Sequence, residues 1–309
     1  MLPESHTSPL VSRRSVTFGL GAMALAGLPP QGARSASPNR IRIGDIAVTA
    51  LSDGHFELPS AAFSPWPKEA STHPLYVGAY AWLIEAGNRR MLVDTGSGNT
   101  LRGKHPNTGY LPMALARAGV TPDQVTDIII THMHADHIGG LMHGEVAAYP
   151  NAMLHLCELE WRYWAAPERP QLVAPAQRPL ANLIAGLMDR MAYRIAVHRS
   201  NGDIGSGVWL EDAPGHTPGH QIVHIASGTQ SLLLLGDVLI SGTLQFAQPN
   251  IRYVLDDDPE QAALTRTGLF DRITADEILF AATHLIDGGP HRLEKTAVSG
   301  YRAQKTQTF

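Results

Sequence analysis

The string Thr131-His132-Met133-His134-Ala135-Asp136-His137-Ile138-Gly139-Gly140 constrains this chain more than any other. Three histidines and one aspartate fall within six consecutive positions. The apolar run Ile128-Ile129-Ile130 just before them reads as a short buried strand. Gly139-Gly140 just after them breaks any regular element. Four strong donors on a loop at the end of a buried strand are a poor fit to packing. Imidazole and carboxylate together suit zinc and neighbouring borderline metals. The string is therefore half of a metal site, and the rest of the chain must supply the other half.

Three further donors sit where strands end. His216 lies in Gly215-His216-Thr217-Pro218-Gly219-His220, Asp237 follows the apolar run Leu232–Leu235, and His284 follows Ile278–Ala282. Loops at the ends of several buried strands converge readily on one sheet edge. The single cysteine, Cys157, excludes an intramolecular disulfide and a thiolate-rich structural zinc site, and reads as buried filler.

With 309 residues and 44% apolar composition, the chain can bury a large core. The strand-like runs are Ile41–Leu51, closed by Ser52-Asp53-Gly54, then Tyr76–Glu85 and Met91–Asp94 joined by a Gly87-Asn88 hairpin turn. Others are Ala152–Leu156, Tyr193–Val197, Val208–Ala213, Gln221–Ile225, Ser231–Leu235 and Ile278–Ala282. Helical patterns cover Leu111–Ala118, Glu158–Ala165, Ala176–Tyr193 and Pro259–Phe270, with a further start at Thr121-Pro122-Asp123. Residues 55–75 read as a long loop. Strands in successive runs, with helices between them, favour a layered α/β arrangement over a strictly alternating barrel.

Residues 1–37 read as an export signal outside the fold, leaving 38–309 as one domain. Arg13-Arg14 stands before an apolar run from Val16 to Leu28 that is short for a bilayer span, and Ala33–Ser37 is rich in small residues. The pattern resembles the twin-arginine type, which carries folded proteins and points to a periplasmic or secreted product with no stable membrane insertion. A net charge of −4 gives no footprint for nucleic acid. The sequence leaves a homodimer open.

The order HxHxDH, then a lone histidine in GHTPGH, then Gly-Asp after a strand, then a late histidine, resembles the metallo-β-lactamase superfamily from about residue 41 to the end. Ala50–Gly54, Leu92–Gly96 and Leu244-Gln245-Phe246 make it most similar there to the methyl parathion hydrolase and lactonase-like group. That resemblance implies a four-layer αββα sandwich and two divalent ions, zinc foremost. His132, His134 and His216 would hold the first ion, and Asp136, His137 and His284 the second. Asp237 would bridge them, with Asp136 and Asp237 in catalytic roles. Two ions about 3.5–4 Å apart lower the pKa of a shared water to roughly 7, so a bridging hydroxide could attack an ester carbonyl or a phosphorus. The substrate implied is a small apolar ester, a lactone or an organophosphate triester.

Asp94 reads either as the carboxylate orienting a ligand histidine or as a turn residue. His220 reads either as a brace for the His216 loop or as a surface residue. Trp164 and Phe246 are the candidate walls of an apolar pocket, with helix core as the alternative for Trp164. The turn after His284, Leu285-Ile286-Asp287-Gly288-Gly289-Pro290-His291, departs from the group's pattern and points to a difference in substrate. Three other activities use similar ligands. A β-lactamase would generally lack the bridging aspartate. A glyoxalase-type thioester hydrolase would use basic residues near the C-terminus, such as Arg292, Lys295, Arg302 and Lys305. A non-catalytic or diiron redox module would want a flavin partner.

Overall fold

A computed structural model describes residues 39–67, 73–173, 175–191, 194–297 and 299–306. The export-signal reading of residues 1–37 lies outside them.

Two seven-stranded sheets carry the architecture. The first is ordered Arg40–Ile43, Ile46–Leu58, Leu75–Ala86, Arg89–Val93, Asp127–Ile129, Met153–Cys157, Ile195–His198. The second is ordered Asp203–Gly205, Val208–Asp212, Gln221–Ser227, Gln230–Leu234, Leu279–Ala281, His291–Lys295, Tyr301–Lys305. In both, the spatial order follows the chain order. The hairpin at Gly87-Asn88 forms as expected, pairing Ala86 with Arg89, with Gly87 at φ 60.

Three apolar layers explain the strand sequences. Met91 and Val93 face Leu232, Leu234 and Ala281 across the gap between the sheets. Leu92, between them in the chain, faces the other way, onto Leu111, Leu115 and Ile184 of helices Leu111–Arg117 and Arg178–Met191. Leu233 and Phe280 likewise face outward onto Phe270 and Ile273 of helix Pro259–Ala275. Central strands read as unbroken apolar runs because both faces are covered. The result is the αββα sandwich expected from the sequence.

Several expectations need correction. Ser52-Asp53-Gly54 does not end a strand. Ile46–Leu58 runs through it with a register shift, because Asp53 turns inward to accept hydrogen bonds from Ser97 N (2.8 Å) and Leu111 N (2.9 Å). Thr121-Pro122-Asp123 opens a single 3-10 turn, Pro122–Gln124, not a longer helix. Two strands went unassigned in the sequence: His291–Lys295 and Tyr301–Lys305 pair antiparallel at the edge of the second sheet.

Candidate metal centre

All seven expected ligands emerge at one edge of the sandwich. The Asp127–Ile129 strand leads directly into His132, and a short helix, Ala135–Ile138, carries Asp136 in its first turn and His137 in its last. A carboxylate suits a helix N-terminus electrostatically. Gly139 and Gly140 do more than break this helix. A Cβ on Gly139 would lie 2.2 Å from Ser97 O, and one on Gly140 would lie 2.1 Å from Thr95 O, so only glycine lets these loops close on each other.

The second sheet supplies the other three. Asp237 sits in the 3-10 turn Gly236–Val238 after the Gln230–Leu234 strand, His284 follows Leu279–Ala281, and His216 lies on the loop before Gln221–Ser227. That loop is pinched by Ala213 N donating to His220 O (2.9 Å).

The donor atoms fall into two groups, each within 4.8 Å: His132, His134, His216 and Asp237, then Asp136, His137 and His284. Asp237 touches both. Its Oδ1 lies 3.2 Å from His137 Nε2, and its Oδ2 lies 3.2 Å from His216 Nε2 and 3.2 Å from His284 Nε2. Asp136 Oδ2 lies 3.7 Å from His137 Nε2 and 3.6 Å from His284 Nε2.

The far nitrogens of the rings are held from outside. His137 Nδ1 meets Asp94 Oδ2 at 2.7 Å, His216 Nδ1 meets Asp256 Oδ1 at 2.9 Å, and His284 Nδ1 meets Gly78 O at 2.8 Å. Each outer N–H donates to an oxygen, which leaves the Nε2 lone pair pointing inward. Asp94 is therefore an orienting carboxylate, not a mere turn residue. His220 is buried and accepts from Asp237 N at 3.0 Å, so it braces the Asp237 turn.

The residues fit divalent cations. His132 Nε2, His137 Nε2 and Asp237 Oδ1 are buried and lack any hydrogen-bond partner. Leaving such atoms unpaired costs about 1–3 kcal/mol each, whereas a cation in each donor group would satisfy all three between them. Charge points the same way. Burial, reinforced by neighbouring histidines, pushes His132 and His134 far below the usual imidazole range. Burial opposes ionisation of Asp237 too, but His284, His137 and His132 outweigh it and keep the carboxylate charged. Burial works against a charged His216, yet Asp237 and Asp256 bring it up to about 9, so a cation bound there would displace a proton from its Nε2.

The two pocket residues are placed otherwise than expected. Trp164 is 2% exposed in the helix-side core, its indole N–H bonded to Glu160 Oε1 at 2.9 Å. Phe246 packs on Phe270 and Phe280 at 5.6 and 6.0 Å, part of the outer core of the second sheet. The aromatic rings on the ligands are Tyr253, stacked on His216 at 6.3 Å, and Phe56, edge-on to His284 at 5.8 Å. Cys157 is buried, as expected for filler, and burial raises its thiol pKa. Glu160 and Asp256 escaped the sequence reading, since acidic residues in helices and loops usually face water.

Fold and donor set together define a two-sheet sandwich with a His/Asp cluster suited to divalent metal at one edge. The chain belongs to the Metallo-beta-lactamase superfamily, which it matches over residues 76–279. A probable metallo-hydrolase of Mycobacterium bovis is 28% identical over 52% of this chain and 57% of its own length. An N-acyl homoserine lactonase of Bacillus cereus is 28% identical over 52% of this chain and 63% of its own. The match thus spans little more than half of either relative. A hydroxyacylglutathione hydrolase of Ruegeria pomeroyi is 27% identical over 68% of this chain and 80% of its own. Among solved structures, the hydrolase AbOPH superposes with a TM-score of 0.81 at 24% identity, covering 90% of this chain and 100% of its own. AidC, a dizinc quorum-quenching lactonase, gives 0.80 at 21%, covering 88% and 98%. At these identities the structural likeness establishes the fold.

Proposed function

We propose that this chain is a dinuclear hydrolase of small apolar esters, with a lactone as the preferred substrate. The observation that carries this is Asp237, whose two carboxylate oxygens face members of both donor groups. His132, His134 and His216 would hold one ion and Asp136, His137 and His284 the other, with Asp237 between them. Bound there, a pair of divalent ions such as zinc supplies Lewis acidity and a water acidic enough to react at neutral pH.

The chain's own residues do the rest. Asp94, Asp256 and the Gly78 carbonyl hold three rings in register. Asp136 has the more exposed carboxylate, 17% against 4% for Asp237, and is placed to pass a proton between site and solvent. Phe56 and Tyr253 lie against the rings of His284 and His216. That apolar surround suits an acyl or ester chain and supports the lactone reading, as does the Bacillus lactonase. A triester is the next substrate to try.

The thioester reading ranks lower because three of its four candidate basic residues are engaged. Lys295 Nζ is 2.6 Å from Asp271, Lys305 Nζ is 3.4 Å from Asp287, and Arg292 donates to Glu277 O at 3.2 Å. Among the described residues no helix is long and apolar enough to cross a membrane. Arg13-Arg14 supports the proposal that the enzyme works in the periplasm or outside the cell.

The test is purified enzyme assayed on lactones, triesters and glutathione thioesters, before and after chelation, with metal content measured. Two ions per chain and chelator-sensitive lactone hydrolysis are expected. His132→Ala should abolish the activity. Less than one ion per chain, together with no ester hydrolysis, would overturn the reading.

A further inference from the structure

Helix Glu158–Trp164 begins directly after the strand Met153–Cys157, and its third residue, Glu160, is 0% exposed. A carboxylate buried this deeply is costly unless donors surround it. Glu160 has four. Its Oε1 accepts from Met133 N (2.9 Å) and Trp164 Nε1 (2.9 Å), and its Oε2 accepts from Thr217 Oγ1 (2.7 Å) and Gly219 N (3.1 Å). None of the four is a cation, so this is not an ion pair.

The identity of the donors matters more than their number. Met133 lies between His132 and His134, on the loop from the first sheet. Thr217 follows His216, on a loop from the second sheet. A Cβ on Gly219 would come within 2.1 Å of Glu160 N, so the helix and the His216 loop meet backbone to backbone. The rings of His132, His134 and His216 stand 4.6–4.7 Å apart, pairwise. Two loops from different sheets thus share one buried reference point, and it lies behind these three rings. No ligand of the second group follows or precedes a residue bonded to Glu160 except through the His132–His137 loop itself.

We propose that Glu160 is a positioning residue for the first ion, fixing His132 and His134 relative to His216 and so setting that ion's affinity without touching it. This rests on the two-ion reading above. Outer partners of metal ligands are typically worth about 10–100-fold in affinity.

The test is Co2+ titration of the metal-stripped full chain, followed by the visible absorption of the bound ion and by competition with a chelator. The wild type is compared with Glu160→Ala, Glu160→Gln and Thr217→Val. A His284→Ala background, which removes a ligand of the second group, isolates the first ion. Glu160→Ala should weaken the first ion about 10–100-fold and change its cobalt spectrum, leaving the second within about threefold. Thr217→Val cuts one of the four bonds and should weaken the same ion less. Glu160→Gln should fall between, because its amide oxygen can keep Met133 N and Trp164 while its NH2 opposes the Gly219 N–H. Should Glu160→Ala fail to fold, the other two variants decide. The proposal is overturned if their thermal stability falls while both affinities and the cobalt spectrum stay at wild-type values, or if both ions weaken equally. A wild type that binds no ion overturns the two-ion reading itself, and the two failures are thereby distinguished.

Discussion

Replacing Asp94 with asparagine changes one atom of the second donor group's support and should weaken His137 as a ligand. Asp94 is 1% exposed and has φ 61, a conformation asparagine tolerates, so the backbone should not object. Its Oδ1 accepts from Thr131 N at 2.9 Å, and its Oδ2 accepts from Thr131 Oγ1 at 2.9 Å and from His137 Nδ1 at 2.7 Å. An amide offers one oxygen for these two positions. With the NH2 at the first, it opposes the Thr131 N–H. With the NH2 at the second, it donates to His137 Nδ1, which forces the ring proton onto Nε2 and removes the inward lone pair. Either arrangement loses a hydrogen bond to a charged group, about 1.5–3 kcal/mol. At 1.4 kcal/mol per tenfold, that is roughly 10- to 150-fold in affinity for the second ion. Chelator competition, with metal content read alongside lactone hydrolysis, measures it directly. Thr131→Val, which keeps the Asp94–His137 bond, should do much less. An Asp94→Asn enzyme holding two ions within twofold of wild-type affinity would refute the argument.

Other expectations concern the scaffold. His224 Nδ1 donates to Glu211 at 2.8 Å, and this bond, with Arg272 adding and burial opposing, brings the Glu211 carboxyl from its ordinary 4.5 down to about 2. A depressed carboxyl stabilises the fold above its unfolded pKa. The stability gap between wild type and Glu211→Gln should therefore be full above pH 4.5 and close as pH falls toward 2, as followed by urea unfolding. Phe280 is 0% exposed between Phe246 and His291, and Phe280→Ala should cost about 3–5 kcal/mol in the same assay. Gly288 has φ 54, and a Cβ there would meet the Tyr80 ring at 2.2 Å. Gly288→Ala should lower stability by about 1–3 kcal/mol and displace the turn after His284, read out as a change in kcat/KM across lactones of different chain length.

The donor cluster could be read from the sequence because each donor sits on a short contiguous string at the end of an apolar strand. Chain order then places those ends side by side. Central strands were legible for the same reason: Met91-Leu92-Val93 is apolar throughout because it is buried on both faces. What supports the ligands was less legible, because it acts at long range. Glu160 is bonded to groups 27 and 59 residues away, and nothing local separates it from Glu158, which stays near the surface and pairs with Arg162. Trp164 looked like a pocket wall because an aromatic cluster on a short helix can face either way, and the buried Glu160 carboxylate decided the matter by claiming its N–H. Ser52-Asp53-Gly54 looked like a turn because turns use those residues, yet Asp53 spends its side chain on Ser97 and Leu111. The terminal hairpin was missed because only alternate residues of His291–Lys295 are buried, which on charged strands resembles a tail.

Each donor group draws on both layers of the sandwich. His132, His134, Asp136 and His137 hang from the first sheet, while His216, Asp237 and His284 hang from the second. On the two-ion reading, both ions are rivets through the seam between the layers. Prying the layers apart at that edge and losing metal then become a single event. Hydrogen exchange across the seam should track metal occupancy, even in strands that touch no ligand.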